Sequence, residues 1–413
     1  GKHEWFDETI TESGRKLYSP RPILAARLVE RESAAQNGKR IESIAYTCLK
    51  DETRPLARVE QGVTRVFICL PMDFNLLIRK YFGMYTATQH ALAGQISSSV
   101  GIDPVTGWKG LYSRLRSKGE QWEDFDYKNW DQFLHPEFVK RYATIVNAWY
   151  GDKDDSPNGK VRHVLMQELV YTYLIVGTRL FMKTGGQCSG CAITAEINCD
   201  IHDIIMFYIF CTLAYKNNIP IRDSEDLLTF YRDNVELALY GDDIVKSATR
   251  HVTEWFNGKT IAPLMSELGM KITPADKEST DFVIKRPEEV TFLKRSFKPD
   301  PQYPSRIVRA PLDEKTIWNI PQWIKNCDDK VEATRTNCEM ALMETYMYGE
   351  EKFNNAREYL NKRIELYNLV HPGAEIRPLT LTYSKLESAY EEGTLEICYP
   401  KGWFEPLEEP SLV

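Results

Sequence analysis

Three features of the sequence predict an α+β fold. Val235, Leu237 and Leu239 alternate with Glu236, Ala238 and Tyr240, and Gly241-Asp242 then turns the chain into Ile244-Val245, the period-two pattern of an antiparallel hairpin. Residues 203–215, DIIMFYIFCTLAY, form the most apolar long run and read as a buried helix, shorter than the roughly 20 residues a membrane-spanning helix needs. From about residue 309 onward helical spacing dominates, with Phe353, Ala356, Leu360, Ile364 and Tyr367 on one apolar face.

The other elements follow in chain order. Residues 43–48 and 64–70 cluster β-branched and aromatic side chains and read as strands, and DFNLLIRKYFG, residues 73–83, has helical spacing. Basic side chains gather between Lys50 and Lys80. Residues 123–126 read as the end of a short strand, and His135-Pro136 stops the turn that follows. A pair of helices is expected over residues 136–182, interrupted by the exposed turn GDKDDSPNGK. After the Gly185-Gly186 break, residues 189–215 read as one long helix.

Composition narrows the function classes. A chain of 413 residues, 43% hydrophobic and 27% charged, without low-complexity tract or fixed-period repeat, is folded and long enough for two or three subdomains. Fifty-two basic against 59 acidic side chains give a net charge of -7, which excludes nucleic-acid binding over the whole surface and requires any RNA contact to use a local basic channel. The nine cysteines have no framework spacing and follow no signal peptide, so they read as reduced thiols of a cytosolic compartment. The opening GKHEWFDE lacks Met and reads as the middle of a segment, so a fragment is expected.

A tight hairpin leaves Asp242 and Asp243 side by side at its tip, where two carboxylates repel unless a cation sits near them. Mg²⁺ takes one or two carboxylates with waters and phosphates, and suits such a tip. A Gly-Asp-Asp turn alone can equally be an ordinary solvated turn. A second acidic element, DFDYKNWD, changes the balance: Asp126 ends a strand that can neighbour the hairpin, and Asp131 lies on the turn beyond it. Two metals roughly 3.5 to 4 Å apart between such acids would stabilise both the attacking and the leaving oxygen of an in-line phosphoryl displacement.

Taken in order, KDETRPLARVEQGVTR, DYKNWD, GGQCSGCAITAEIN, YGDD, MKITPADK and FLKR resemble the motifs of the RNA-dependent RNA polymerases of picornavirus-like positive-strand RNA viruses, order Picornavirales, over residues 50–297. APLDEKTIWNIPQWIK is similar to the insect and plant members of that group. The resemblance implies a right-hand polymerase of fingers, palm and thumb, with an antiparallel, ferredoxin-like or RRM-like palm sheet and a helical thumb. It divides the chain into partial fingers with the basic motif over residues 1–118, palm over 119–140, a fingers insertion over 141–180, palm again over 181–305 and thumb over 306–413.

The residue roles follow from that likeness. Asp126 and Asp242, with Asp243 beside them, match the ligands of two Mg²⁺ ions, for which Mn²⁺ can substitute. A polymerase that makes RNA must recognise the 2'-hydroxyl, which donates and accepts hydrogen bonds; Asp131 and Asn198 supply an acid and an amide for it, and Ser189 and Thr194 fall at the family's other hydroxyl positions. Lys50, Arg54, Arg58 and Arg65 match the cations around the triphosphate, whereas Val63 stands where close relatives are basic. Lys277 matches the lysine that protonates pyrophosphate, and Phe292, Leu293, Lys294 and Arg295, with Gly185, Gly186 and Gly190, match positions contacting primer or RNA.

The implied activity is RNA-templated RNA synthesis in viral replication and transcription. Implied partners are RNA template and primer or product strand, ribonucleoside triphosphates, a small protein primer and other viral replication proteins, with no transmembrane segment. The implied location is the host cytoplasm, at membrane-associated replication complexes. Two other readings stand beside it: a reverse transcriptase, which shares the Tyr-x-Asp-Asp hairpin but carries a bulky residue where Asp131 stands, and a zinc-bearing RNA-binding module built on Cys188, Cys191, Cys199 and His202. The 49 residues ahead of Lys50 are fewer than the family carries and lack its Gly-Pro-rich template-guiding motif, so an N-terminally truncated form that extends RNA poorly is expected.

Overall fold

The computed structural model describes residues 2–397 apart from 53, 221, 277–280, 302, 305, 325, 326, 374 and 396. Its central layer is a four-stranded antiparallel sheet in the order Lys271–Pro274, Trp122–Lys128, Asp243–Ala248, Val235–Tyr240. The hairpin forms where the alternation predicts, with Tyr240 paired to Asp243 and Gly241, at φ 68°, supplying the left-handed backbone of its two-residue turn. The Trp122–Lys128 strand runs two residues past Asp126, so that carboxylate lies within a strand rather than at its end.

Strand alternation sends Phe125 and Tyr127 to one face of this sheet, into the main core with Ile197, Ile201 and Ile205 of the Thr194–Lys216 helix and Ile261 and Met265 of the Gly258–Glu267 helix. The opposite face sends Trp122 into a second core with Trp108, Phe292 and Phe297, whose rings pack on one another. The Thr194–Lys216 helix begins five residues later than expected, because Ser189 to Ile193 form a turn. Its 23 residues are long and apolar enough to cross a membrane, which corrects the expectation from the shorter apolar run; most of its apolar window is packed inside the fold.

A second four-stranded sheet joins Val66–Cys69, Ile44–Leu49, Tyr173–Val176 and Arg179–Met182. The last two strands correct the expected helix pair: the helices are Pro136–Tyr150 and Pro157–Val170, and the chain then pairs in a hairpin across Gly177, at φ 60°. The sequence PNGK belongs to the second helix rather than to the turn, with Ser156 capping it by accepting from the Gly159 amide at 3.0 Å. Buried polar groups tie these helices to the sheet: Arg31 reaches Asp73 at 3.1 Å and also pairs with Glu168, which accepts from Ser43 Oγ at 2.6 Å.

The C-terminal part is helical as predicted, its core built on Phe353, Ala356, Leu360 and Ile364. Tyr367 departs from that face and is half exposed. This helical body is joined to the central layers through the buried pair Arg295–Glu344, at 2.7 Å, while Arg295 also donates to the Ala310 carbonyl at 2.8 Å.

Candidate active site

The open end of the central sheet forms one wall of a cavity of about 950 Å³, lined by Asp126, Asp131, Asp242, Ser189, Gly185, Lys50, Arg54, Arg58 and Arg65 among others. Residues up to 192 positions apart in the chain therefore meet at one place, Asp242 with Lys50. Phe125 pairs with Ile244, so Asp126, one residue on, lies beside the turn that carries Asp242. Burial raises the Asp242 carboxyl above the ordinary carboxylate range, and the charges of Asp131 and Asp126 add to the rise while Arg65 opposes it. Asp243 opens its strand opposite Tyr240 and is exposed.

Among the described residues no three His, Cys, Asp or Glu side chains form a cage for an ion by themselves. Two carboxylates completed by water and phosphate oxygens are the donor set Mg²⁺ takes, and the repulsion felt at Asp242 is what a divalent cation would relieve. The residues present fit such an ion.

Asp131 and Asn198 are brought together, the amide Nδ2 donating to Asp131 Oδ1 at 3.3 Å and the Asn198 Oδ1 left without a hydrogen-bond partner. Burial raises the Asp131 carboxyl, with Asn198 opposing that rise. The two hydroxyls each meet backbone groups, and of the two Ser189 lines the cavity. Thr194 Oγ1 lies within hydrogen-bond distance of the Cys188 and Cys191 carbonyls, at 3.0 and 2.9 Å, and Ser189 Oγ accepts from the Ile68 amide at 3.2 Å. Both thus hold the loop to its surroundings.

Behind the basic lining, Glu52 accepts from Arg65 Nε at 2.9 Å and pairs with Arg54 at 3.0 Å, so two of the four expected triphosphate cations share one carboxylate. Val63 lines the cavity and adds no charge. Sequence reasoning missed Glu52, although it lies inside the basic motif.

The glycines serve close approach. A Cβ on Gly186, itself at φ 72°, would lie 2.5 Å from the Asp131 carbonyl oxygen, and one on Gly190 would lie 2.1 Å from that of Ile68. Asn75 holds the same loop, donating to the Gly190 carbonyl at 3.1 Å and accepting from the Ala192 amide at 3.0 Å. Gly185 alone of the three lines the cavity. In FLKR, Phe292 is a core ring and Arg295 is buried against Glu344, which corrects the expected strand contact for both; Leu293 and Lys294, at φ 53° and 60°, form the tip of that hairpin. Lys277 lies outside the described residues.

The cysteine and histidine set does not gather as a zinc site among the described residues. Cys188 Sγ is directed at the Leu169 carbonyl, whereas Cys199 and His202 grip the hairpin turn from beneath. Cys199 Sγ accepts from the Gly241 amide at 3.2 Å, and His202 Nδ1 stands 3.2 Å from the Gly241 carbonyl. A carbonyl only accepts, so Nδ1 carries the proton and Nε2 accepts from Tyr127 Oη at 2.8 Å. Burial holds His202 neutral, its pKa lowered to about 4. The support of the catalytic-type turn thus runs Tyr127, His202, Gly241, a chain no local pattern shows.

A small antiparallel sheet presenting carboxylates from two strands to a cation-lined cavity, flanked by a second sheet and a helical body, defines a right-hand polymerase fold. The family described as viral RNA-dependent RNA polymerase matches residues 14–362, and the chain belongs to it. The chain is 31% identical over 333 residues to the replicase polyprotein of acute bee paralysis virus (strain Rothamsted), covering 79% of this chain and 17% of that polyprotein. It is 29% identical to the genome polyprotein of rice tungro spherical virus (strain Vt6), over 88% of this chain and 10% of that one. It therefore spans less than a fifth of either relative. A solved structure of the Sicinivirus 3Dpol RNA dependent RNA polymerase matches with a TM-score of 0.76 at 21% identity, covering 95% of this chain and 74% of that one.

Proposed function

We propose that this chain copies RNA from an RNA template, joining ribonucleoside triphosphates by two-metal-ion nucleotidyl transfer. The observation that carries the reading is the single cavity lined by Asp126, Asp242 and Asp131 together with Lys50, Arg54, Arg58 and Arg65, with Asn198 hydrogen-bonded to Asp131. The arginines and Lys50 bind the triphosphate, Arg by paired donors that match phosphate oxygens. Asp131 and Asn198 read the ribose 2'-hydroxyl, which suits RNA synthesis rather than reverse transcription. Asp126 and Asp242, with Asp243 beside them, hold two Mg²⁺ or Mn²⁺ ions. When bound, such ions stabilise the attacking and leaving oxygens of the displacement.

In the same reading Lys277 protonates the departing pyrophosphate, and the Leu293-Lys294 tip and Gly185 touch the primer strand. The central sheet is the palm, the second sheet with residues 1–118 and 141–180 the fingers, and residues 306–413 the thumb. A small protein primer and the other viral replication proteins are its partners, at membrane-associated complexes in the host cytoplasm. The test is primer extension on an RNA template, with ribonucleotides against deoxyribonucleotides and Mg²⁺ against chelator. Asp242→Asn, folded as judged by circular dichroism, should lose nucleotide addition by at least about 100-fold, the loss of several kcal/mol expected when a metal ligand goes. Normal extension by that variant would sink the two-metal assignment.

A further inference from the structure

Gln187 is 3% exposed, lines the cavity, and has no hydrogen-bond partner on either its amide nitrogen or its amide oxygen. Leaving both ends of a buried amide unsatisfied costs about 1–3 kcal/mol for each group, so an apolar side chain would serve a purely packing role better. The backbone around it is held on both sides. The Gln187 amide N–H donates to the Asp131 carbonyl at 2.7 Å, the Gly186 N–H donates to Leu134 at 2.9 Å, and Lys183 Nζ donates to the Gly186 carbonyl at 2.6 Å. The glycine ahead of it allows this approach only because it has no Cβ.

The neighbouring polar groups divide into those already used and those still open. Thr194 and Ser189 are engaged with backbone groups, whereas Asn198 Oδ1 has no hydrogen-bond partner. The open groups, a full amide at 187 and a carbonyl oxygen at 198, flank the Asp131 segment, one through its backbone and the other through its carboxylate.

We propose that Gln187 is a third sugar-reading residue, its side-chain amide hydrogen-bonding the ribose edge of the nucleoside triphosphate bound beside Asp131 and Asn198. This rests on the polymerase reading of the cavity. A primary amide both donates and accepts, as a ribose hydroxyl does, so each end of Gln187 has a matching group on the sugar. A site that hydrogen-bonds a hydroxyl discriminates strongly against an analogue lacking it, because its own polar groups are then left unpaired.

The test is single-nucleotide extension of an RNA primer by the full chain, measuring kcat and KM for ATP and for 2'-deoxy-ATP. In Gln187→Met, which keeps the volume and removes both polar atoms, the preference for ATP should fall by about tenfold, the worth of roughly one hydrogen bond. The fall should come from ATP, with the constants for 2'-deoxy-ATP little changed. Gln187→Glu, which keeps an acceptor and loses the donor, should fall between. Unchanged preference in either folded variant overturns the proposal, and so does failure of both to fold, since the amide would then be holding the loop and not the sugar. If the unmodified chain extends with neither nucleotide, it is the polymerase reading that fails.

Discussion

Protonating His202 should loosen the turn that presents Asp242, and the size of the effect follows from its surroundings. The ring is fully buried, edge-on to Tyr127 and against Trp130, with both nitrogens committed to neutral-state hydrogen bonds. A native pKa of about 4 against 6.5 for the free side chain means that folding excludes the proton, and at about 1.4 kcal/mol per unit the difference is on the order of 3 kcal/mol. The sign is fixed by linkage. The unfolded chain binds the proton first, so the His202 contribution is whole above pH 6.5, declines as pH falls toward 4, and is gone below that. By pH 5 it amounts to a loss of about 2 kcal/mol.

Two assays read this. With the seven histidines isotopically labelled, the resonance that disappears in His202→Asn should not titrate between pH 8 and 5 in the native protein. The difference in urea stability between unmodified and His202→Asn protein should shrink by about 2 kcal/mol from pH 7 to 5, because only the unmodified chain has this proton to exclude. A native His202 resonance with a midpoint near 6.5 would refute the buried relay.

Two further perturbations test the packing of the site. Gly190→Ala sets a Cβ 2.1 Å from backbone at Ile68, so the loop must move; a cost of about 3 kcal/mol or more and loss of nucleotide addition are expected, and a melting temperature within a degree of the unmodified chain would contradict the close approach. Arg295→Met should destabilise by about 3–5 kcal/mol, the usual cost of breaking a buried ion pair from one side, and adding Glu344→Met should restore most of that loss in thermal unfolding; a double variant no better than the single would show that the pair is not the link.

Much of this was legible in the chain because it is local. The hairpin announced itself by alternation and by a glycine where the turn needs positive φ, and Asp242 had to lie at its tip. The strand under Asp126 was legible from its residues, though not its length. The expected helix through residue 182 failed because Tyr173–Val176 and Arg179–Met182 are short strands of one hairpin, the first of which is held by a distant partner, Ile44–Leu49. A two-residue gap containing Gly177 was the signal. His202 and Gln187 were beyond reach for another reason: one sits inside an apolar helix and the other between glycine and cysteine, and only contacts 39 and 56 residues away in the chain give them meaning.

Glu52 sets part of the charge balance beside a cation-lined cavity in a chain whose net charge is -7. Arg54 and Arg65 share its one negative charge, and Arg65 also feels Asp242 across the cavity. The basic side of the cavity keeps a net positive charge, since Lys50, Arg54, Arg58, Arg65 and Lys183 line it against the single carboxylate of Glu52, while on the acidic side burial, and then the charges of Asp131 and Asp126, raise the Asp242 carboxyl. A phosphate group arriving there would meet Lys50 and Arg58, would compete with Glu52 for Arg54 and Arg65, and would face the repulsion of the acids. On the proposed reading, a triphosphate accompanied by divalent cations would meet both sides at once, its oxygens competing with Glu52 for Arg54 and Arg65 while the cations relieve the carboxylates. On that reading the cations and the carboxylates therefore act together, and a metal-bound triphosphate should bind better than a triphosphate without metal, because only the former relieves the acidic side.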